Sequence, residues 1–376
     1  MAVAHDAAGS NHAHAKPVGF AAHLTPYHAL KEVDGAVRFQ AAELARLGRS
    51  ILEAVGTPED LASVVAASLV DANLAGHDSH GVIRLNSYVA NVRSGQVQPS
   101  ARAQVHSLGG ACARVDGGWG WGQPAAHVAT DAAASLARAN GVGLVTIGHC
   151  NHIGRLGEYV EKLGRAGLIA FMTCNARPAV AAYGGYTRLL GTNPVAWGAP
   201  RDGGEPALVV DFATAAIAEG KLKVAHAAGS KAPRGAVVDK HGNPSEETGA
   251  FYEGGALTTF GGHKGFGLSV MAELMGGVLS GSGASSAPGY DNGNGTLVMA
   301  IDAGKFVPPA DFARQLHEFT ARLHAAPKAP GFDEILLPGE PEWRARRERT
   351  EEGIPVPAAT HRAIIDLAAE LGVGAN

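Results

Sequence analysis

Five short stretches of the chain place chemically capable side chains beside glycine. The first is Gly76-His77-Asp78-Ser79-His80-Gly81, with Arg84 just beyond it. A helix cap accounts for Ser79 or Asp78, but not for two histidines and an arginine. If a helix follows Gly76, His80 and Arg84 share one face, so an imidazole could work on a substrate whose carboxylate the guanidinium holds. The second is Gly148-His149-Cys150-Asn151-His152-Ile153-Gly154-Arg155, directly after an apolar run. Imidazole titrates near neutral pH, which suits His152 to proton transfer; His149 reads equally well as structural.

The third stretch, Cys174-Asn175-Ala176-Arg177-Pro178, leads to Gly191-Thr192-Asn193-Pro194. Arg177 is either a second carboxylate clamp or a surface charge. The fourth, Asp211-Phe212-Ala213-Thr214, closes an apolar run, where an acid can order a ribose, a histidine or a helix N-terminus. The fifth, Gly261-Gly262-His263-Lys264-Gly265-Phe266-Gly267, opens a helix whose free N–H groups, with Lys264, suit a phosphate. Two patterns carry less. Gly120-x-Gly122-x-x-Ala125 imitates a dinucleotide fingerprint, but Pro124 interrupts it and no acid stands at the ribose distance. The sets His77/His80 and His149/Cys150/His152 have types that suit zinc, which keeps a metal-dependent hydrolase or lyase open as an alternative.

The elements that must hold these stretches follow from periodicity. Residues 1 to about 35 show no apolar period and read as a disordered extension. Phe39, Leu44, Leu47, Ile51 and Leu52 fall on helical spacing; Thr57-Pro58-Glu59 restarts a helix with Thr57 as its cap, and a third helix carries Val82, Leu85, Val89 and Val92. Residues 36–110 are therefore expected to be mainly helical. From 111 to 309 apolar runs alternate with helical segments. Strands are expected over 143–147, 168–174, 207–211 and 296–301, and helices over 124–139, 156–165, 268–279 and 310–323, giving an α/β core. Residues 310–376 read as a proline-rich arm and a last helix, 361–371, packing with the N-terminal helices. The dense charges of 342–352 read as a solvated helix face.

Composition narrows the class. The 376 residues carry 31 basic against 35 acidic side chains, a formal charge of −4, which speaks against nucleic-acid or anionic-membrane binding. With 46% hydrophobic and 18% charged residues the chain can bury a large core, and 51 glycines imply many tight turns. Three scattered cysteines suggest a reducing, cytoplasmic setting. No apolar run approaches the roughly 20 residues a bilayer span needs.

Taken in order, Gly76-His77-Asp78-Ser79-His80-Gly81-Val82, Asn151-His152-Ile153-Gly154, Gly191-Thr192-Asn193-Pro194, Asp211-Phe212-Ala213-Thr214 and Gly262-His263-Lys264-Gly265-Phe266-Gly267-Leu268 resemble the malate/L-lactate dehydrogenase family of NAD(P)-dependent oxidoreductases, over about residues 37 to 372. The resemblance implies a homodimer with a non-Rossmann nicotinamide-binding domain, NAD as cofactor with NADP as the variant, and reversible hydride transfer between a small 2-hydroxy acid and its 2-oxo acid. It implies His152 as general acid/base, His80 and Ser79 beside cofactor and substrate, and Arg84 and Arg177 on the carboxylate. The cofactor surface it implies comprises His80, Gly154, Arg155, Leu156, Thr192, Asn193, Val209, Val210, Asp211, Phe212, Ala213, His263, Lys264, Gly265, Asn294, Gly339, Glu340, Pro341 and Glu342. Where the family usually has serine, this chain has Ala215. Some members reduce cyclic imino acids, a second expectation for the substrate.

Overall fold

The computed structural model describes residues 35–201, 206–227 and 229–374, so the expected N-terminal extension lies outside the described residues apart from Gly35. The chain joins its two ends first. Val37–Phe39, read above as part of a helical stretch, is a strand antiparallel to Ile354–Val356, with Arg38 opposite Pro355. Helices Ala41–Ala54 and Glu59–Leu74 follow, and their stripe of Leu44, Ile51, Leu52, Leu61, Val65 and Leu69 packs with Ile364 and Leu367 of the last helix, Ala358–Glu370, in one apolar cluster. Thr57 is not the helix cap: Pro58 occupies that position, and the Thr57 hydroxyl accepts the indole N–H of buried Trp121 at 3.1 Å. An indole donor withdrawn from water needs that partner.

The expected third helix is broken. Asp78–His80 and Val82–Arg84 are two separate 3₁₀ turns, and α-helix begins only at Leu85, running to Arg93. Asn73 causes the break. Its Oδ1 accepts the Val82 N–H at 2.9 Å and its Nδ2 donates to Asp78 Oδ1 at 2.6 Å, so its side chain fills the space beside Gly81, where any Cβ would stand 2.2 Å from Asn73 Oδ1. His80 and Arg84 therefore do not lie on one helix face; their proximity is set by the turn.

The centre is a seven-stranded mixed sheet in which Thr296–Ile301 lies between Val142–Gly148 and Ile169–Cys174, antiparallel to both, with Val298 opposite Val145 and Met172. Cys112–Asp116 pairs parallel to Val142–Gly148, and Gln104–Gly109 forms an outer edge by hairpin, so the change of texture near residue 110 falls inside that hairpin. Pro194–Ala199 and Leu208–Ala213 continue the sheet antiparallel to the other edge. Helix Gly122–Asn140 covers it with Ala125, Ala126, Ala129, Ala133 and Ala137, residues small enough that Gly143 lies against the Ala133 carbonyl, where a Cβ would stand at 2.1 Å. Helix Leu156–Arg165 buries Leu156, Tyr159, Val160 and Leu163 against the same sheet.

A smaller five-stranded sheet of two- and three-residue strands encloses Val180, Leu190, Leu222, Val237, Phe251 and Leu257. The helix expected at 268 begins earlier, at His263, and loosens into a π-helix over Glu273–Val278. Helix Glu340–Glu352 is more than a solvated face. Arg346 Nη1 donates to Asp71 Oδ1 at 2.6 Å, and Arg349 grips both oxygens of Asp78 at 2.7 and 3.1 Å, tying the C-terminal helix to the turn that carries His80. Among the described residues no helix is long and apolar enough to cross a membrane.

Candidate active site

His152 sits in an irregular stretch between strand Val142–Gly148 and helix Leu156–Arg165, and its backbone is pinned from three sides. Asn151 Nδ2 donates to the carbonyls of Gln96, Trp119 and Gly120 at 3.2, 2.9 and 3.0 Å. Asn294 accepts the Ile153 N–H at 3.3 Å. Gly122 lies against the His152 carbonyl, where a Cβ would stand at 2.3 Å, so the glycine pattern at 120–125 serves close packing against this loop. The preceding His149, at φ 48°, turns outward to Asp116 at 3.2 Å. Cys150 is buried, its thiol pushed up to about 12 by its dry surroundings. Those two do not converge with His152 as ligands, and no group of three or more potential metal-binding side chains is present among the described residues.

The turn after Gly76 brings the second imidazole to the first. The His80 and His152 rings stack at 5.6 Å between centroids, with planes 22° apart. Each ring is held by its Nδ1: His152 by Tyr88 Oη at 2.8 Å, His80 by Ser79 Oγ at 3.1 Å. Tyr88 in turn accepts Gln123 Nε2 at 2.7 Å and rests on Trp121 at 5.5 Å. Tyr88 and Gln123 were not among the residues singled out in the sequence, although Tyr88 lies one turn beyond Arg84 and Gln123 lies inside the demoted glycine pattern.

Both rings are held uncharged. Burial, then Arg84, His77, Arg155 and Lys221, push His80 down to about 3. Burial, then Arg84, His80 and Arg177, hold His152 well below the ordinary histidine value. These influences bring Arg84 and Arg177, from two distant stretches, to the same imidazole. Arg84 Nε donates to the Ser79 carbonyl at 2.7 Å, and neither arginine has an acidic partner among the described residues. Guanidiniums without an acidic partner, acting on an imidazole held neutral, can attract a small carboxylate bearing a group that exchanges a proton.

Several residues of the expected cofactor surface form one neighbourhood. Asp211 Oδ2 accepts the Gly157 N–H at 2.7 Å, joining the end of strand Leu208–Ala213 to the turn of Gly154, Arg155 and Leu156. The Val209 N–H donates to the Pro338 carbonyl at 3.1 Å, and Gly339, at φ 94°, lies against Val209, so the Gly339–Glu342 segment runs along the same strand. Glu342 Oε1 meets His77 Nε2 at 3.3 Å. Phe212 packs edge-on against Phe260 at 5.4 Å, which places the His263-Lys264 helix start beside it.

Other expected contacts are spent within the protein. Arg155 has a 3% exposed side chain paired with Asp71 at 3.0 Å and Glu161 at 3.7 Å. Glu340 holds Arg201 at 3.1 Å and His324 at 3.0 Å. Leu156 and Pro341 are buried, and a Cβ at Gly265 would stand 2.2 Å from the Phe260 carbonyl. Thr192 gives its carbonyl to the Thr214 N–H. Asn193, fully buried at φ 38°, donates to Ser269 Oγ at 3.0 Å and Glu273 Oε1 at 2.8 Å and accepts from Ala176 N at 3.2 Å. Asn294 spends its Nδ2 on the Asn175 carbonyl at 2.8 Å. Glu273 is the hub of this bracing: it also takes Asn175 Nδ2 at 3.1 Å and Ser285 N at 2.8 Å, so the π-helix fixes the strand end that carries Arg177.

Known proteins resemble this chain over most of its length. The malate/L-lactate dehydrogenase family pattern matches residues 39–365. The chain is similar to hydroxycarboxylate dehydrogenase B of Escherichia coli O157:H7, 35% identical over 345 residues, 89% of this chain and 95% of that protein. It is also similar to the Δ¹-pyrroline-2-carboxylate/Δ¹-piperideine-2-carboxylate reductase of Pseudomonas syringae pv. tomato, 35% identical over 333 residues, 87% of this chain and 95% of that one. The solved malate dehydrogenase of Pyrococcus horikoshii OT3 superposes with a TM-score of 0.83 at 31% identity, covering 91% of this chain and 97% of that one. The chain belongs to the malate/L-lactate dehydrogenase family.

Proposed function

We propose that the protein moves hydride between a nicotinamide and C2 of a small 2-hydroxy acid or 2-oxo acid, with His152 as general acid/base and Arg84 and Arg177 on the carboxylate. The observation that carries this reading is the stacked imidazole pair, with His152 under the charge of Arg84 and Arg177, neither of which has an acidic partner among the described residues. In oxidation, the lone pair of His152 Nε2 takes the hydroxyl proton while Nδ1 stays tied to Tyr88. In reduction the imidazolium returns that proton to the oxygen formed at C2. Two-point contact with the carboxylate fixes which face of C2 is presented. The two rings are only partly exposed, which limits the access of bulk water to the proton. When bound, the nicotinamide supplies or receives the hydride.

The residues present fit such a cofactor. The turn before Gly157 and the Pro338–Gly339 turn both meet strand Leu208–Ala213, and Asp211 keeps its Oδ1 without a partner among the described residues, an acceptor suited to a sugar hydroxyl. The carboxylate of Glu342, held below the usual glutamate range, repels an additional phosphate, which favours NAD over NADP. The surface is not a Rossmann one. The antiparallel pairing of the edge strand Leu208–Ala213 and the use of Gly122 as a packing glycine support this.

A second reading, reduction of a cyclic imine, is favoured by the similarity to the P. syringae reductase. A homodimer is the proposed assembly, supported by exposed Met271, Leu274, Val278 and Leu279 on the helix after His263. The test of the reading is a panel of 2-oxo acids and cyclic imines with NADH and NADPH, followed by nicotinamide absorbance. Oxidation with at least one 2-oxo acid supports it; binding of NADH with no oxidation by any compound refutes it.

A further inference from the structure

The hydroxyl of Tyr88 has one hydrogen and two lone pairs, and it stands between two groups that can each donate or accept. On one side is His152 Nδ1 at 2.8 Å, on the other the Gln123 carboxamide at 2.7 Å. Gln123 is fully buried at the start of helix Gly122–Asn140, and the amide atom turned away from Tyr88, Oε1, is buried with no partner. The amide is therefore held on one side only, and it can face Tyr88 with oxygen or with nitrogen by turning about its last side-chain bond.

Only two arrangements of this triad place one hydrogen in each of the two contacts and use the hydroxyl hydrogen of Tyr88. In one, Gln123 Nε2–H donates to Oη and the Tyr88 hydrogen goes to His152 Nδ1, so the neutral imidazole carries its proton on Nε2, facing the substrate. That ring cannot accept a hydroxyl proton there. In the other, His152 Nδ1–H donates to Oη and Oη–H donates to Gln123 Oε1, which leaves the Nε2 lone pair toward the substrate. The imidazolium that drives reduction also carries hydrogen on Nδ1, so it too requires the second arrangement. Loss of its Nε2 proton to the substrate oxygen then yields the base form directly, with no further rearrangement.

We propose that Gln123 is the positioning residue that sets the tautomer of His152: by turning Oε1 toward Tyr88 it selects the Nδ1–H imidazole, the form competent in both directions, and by turning Nε2 toward Tyr88 it selects an idle form. Gly122 makes the geometry possible by bringing the helix start against the His152 carbonyl. The inference rests on the proposed acid/base role of His152. Its test does not depend on turnover.

The experiment is nitrogen NMR of the whole protein, ¹⁵N-labelled at histidine, with the His152 signals assigned by their loss in His152→Asn. In Gln123→Glu the side chain, as a carboxylate, only accepts, and the hydrogen of His152 is expected on Nδ1, with the alkaline limb of the reductive pH profile moved to higher pH. In Gln123→Met the acceptor is gone; the hydrogen is expected to shift toward Nε2 and kcat to fall by roughly 10- to 100-fold at unchanged KM for the acid and unchanged cofactor affinity. Tyr88→Phe, which keeps the ring on Trp121, serves where Gln123→Met does not fold, and is expected to shift the hydrogen the same way. Nitrogen signals of His152 that match the unaltered protein in all three variants would overturn the inference. Undiminished turnover in His152→Asn would instead overturn the acid/base reading, whatever the nitrogen signals show.

Discussion

The imidazole rings of His80 and His152 lie face to face, 5.6 Å between centroids. At that separation two imidazolium ions cannot coexist in surroundings that already contain Arg84, so the pair holds at most one proton. Burial and Arg84 push both rings down, and the proton is assigned to His152 because its Nδ1 is backed by Tyr88 and Gln123, whereas that of His80 meets only Ser79. His152→Asn is therefore expected to lower kcat by roughly 10²–10⁴-fold with cofactor affinity nearly intact, and His80→Asn by roughly tenfold. Steady-state kinetics decides: a larger loss in His80→Asn than in His152→Asn would hand the proton to the ring that Ser79 holds.

Arg84 already spends Nε on the Ser79 carbonyl, leaving its two terminal nitrogens for a ligand. Lysine has one nitrogen and cannot do both. Arg84→Lys is expected to raise KM for the acid by about tenfold or more, equivalent to about 1.4 kcal/mol, with kcat changed less. Arg177, exposed at a strand end, is expected to show a smaller effect of the same sign. An Arg84→Lys enzyme with an unaltered KM removes this residue from carboxylate binding.

How much of this was legible in the sequence depended on the range of the interactions. Strand 296–301 and helix 156–165 are read at their observed limits because their apolar patterns are local and unbroken. The helix through His80 failed because Asn73, from the preceding helix, supplies a side-chain acceptor that competes with the backbone ladder, a contact no window over 76–92 contains. The same reason hides Tyr88 and Gln123, 35 residues apart in sequence and joined only by the fold. Asn193 sits within a recognisable motif, but its partner Glu273 lies 80 residues away. Motif reading locates such a residue without telling whether its side chain faces a ligand or braces the site. The charged run at 342–352 misled for a related reason: Arg346 meets Asp71 of helix Glu59–Leu74 and Arg349 meets Asp78 of the turn that follows it, both far away in sequence.

Binding of a 2-oxo acid is expected to take up a proton. In the free protein His152 is neutral at pH 7, since its value lies well below that of an ordinary histidine. A bound carboxylate places negative charge beside the ring and neutralises Arg84 and Arg177, both of which shift the imidazole upward. Affinity should therefore rise as pH falls through the value of His152 in the complex toward its lower value in the free protein. Calorimetry with a non-reducible 2-oxo acid analogue, in two buffers of different ionisation enthalpy, reads the uptake directly. Equal heats in both buffers mean that no group in the site changes charge on binding.

Gly122→Ala tests the packing that presents His152. A Cβ there would meet the carbonyls of His152 and Asn151 at 2.3 and 2.4 Å, backbone atoms that can move only by displacing the loop. A loss of about 1–3 kcal/mol in unfolding free energy is expected, together with lower kcat. Gly267→Ala is the control: its helical position has nothing within 4 Å, so the exchange should be neutral or stabilising by up to about 1 kcal/mol. Urea unfolding of the two variants separates the cases, and equal stability of Gly122→Ala and the unaltered protein contradicts the tight contact.

Cofactor choice turns on the acids beside strand Leu208–Ala213. Glu342 is held below the usual glutamate range: burial opposes this, but the hydrogen bond and charge of His77 outweigh it, so the group is ionised at neutral pH. A ribose diol can donate to such a carboxylate, whereas a 2′-phosphate meets repulsion. Glu342→Gln keeps the length of the side chain and removes the charge. The ratio of kcat/KM for NADPH to that for NADH is expected to rise by about tenfold, a change of about 1.4 kcal/mol, and most of it should disappear at high salt if the charge acts through solvent. A ratio that stays constant in Glu342→Gln means that this carboxylate does not face the ribose, and would move the source of any NAD preference to Asp211, whose Oδ1 is the other uncommitted acceptor on that edge.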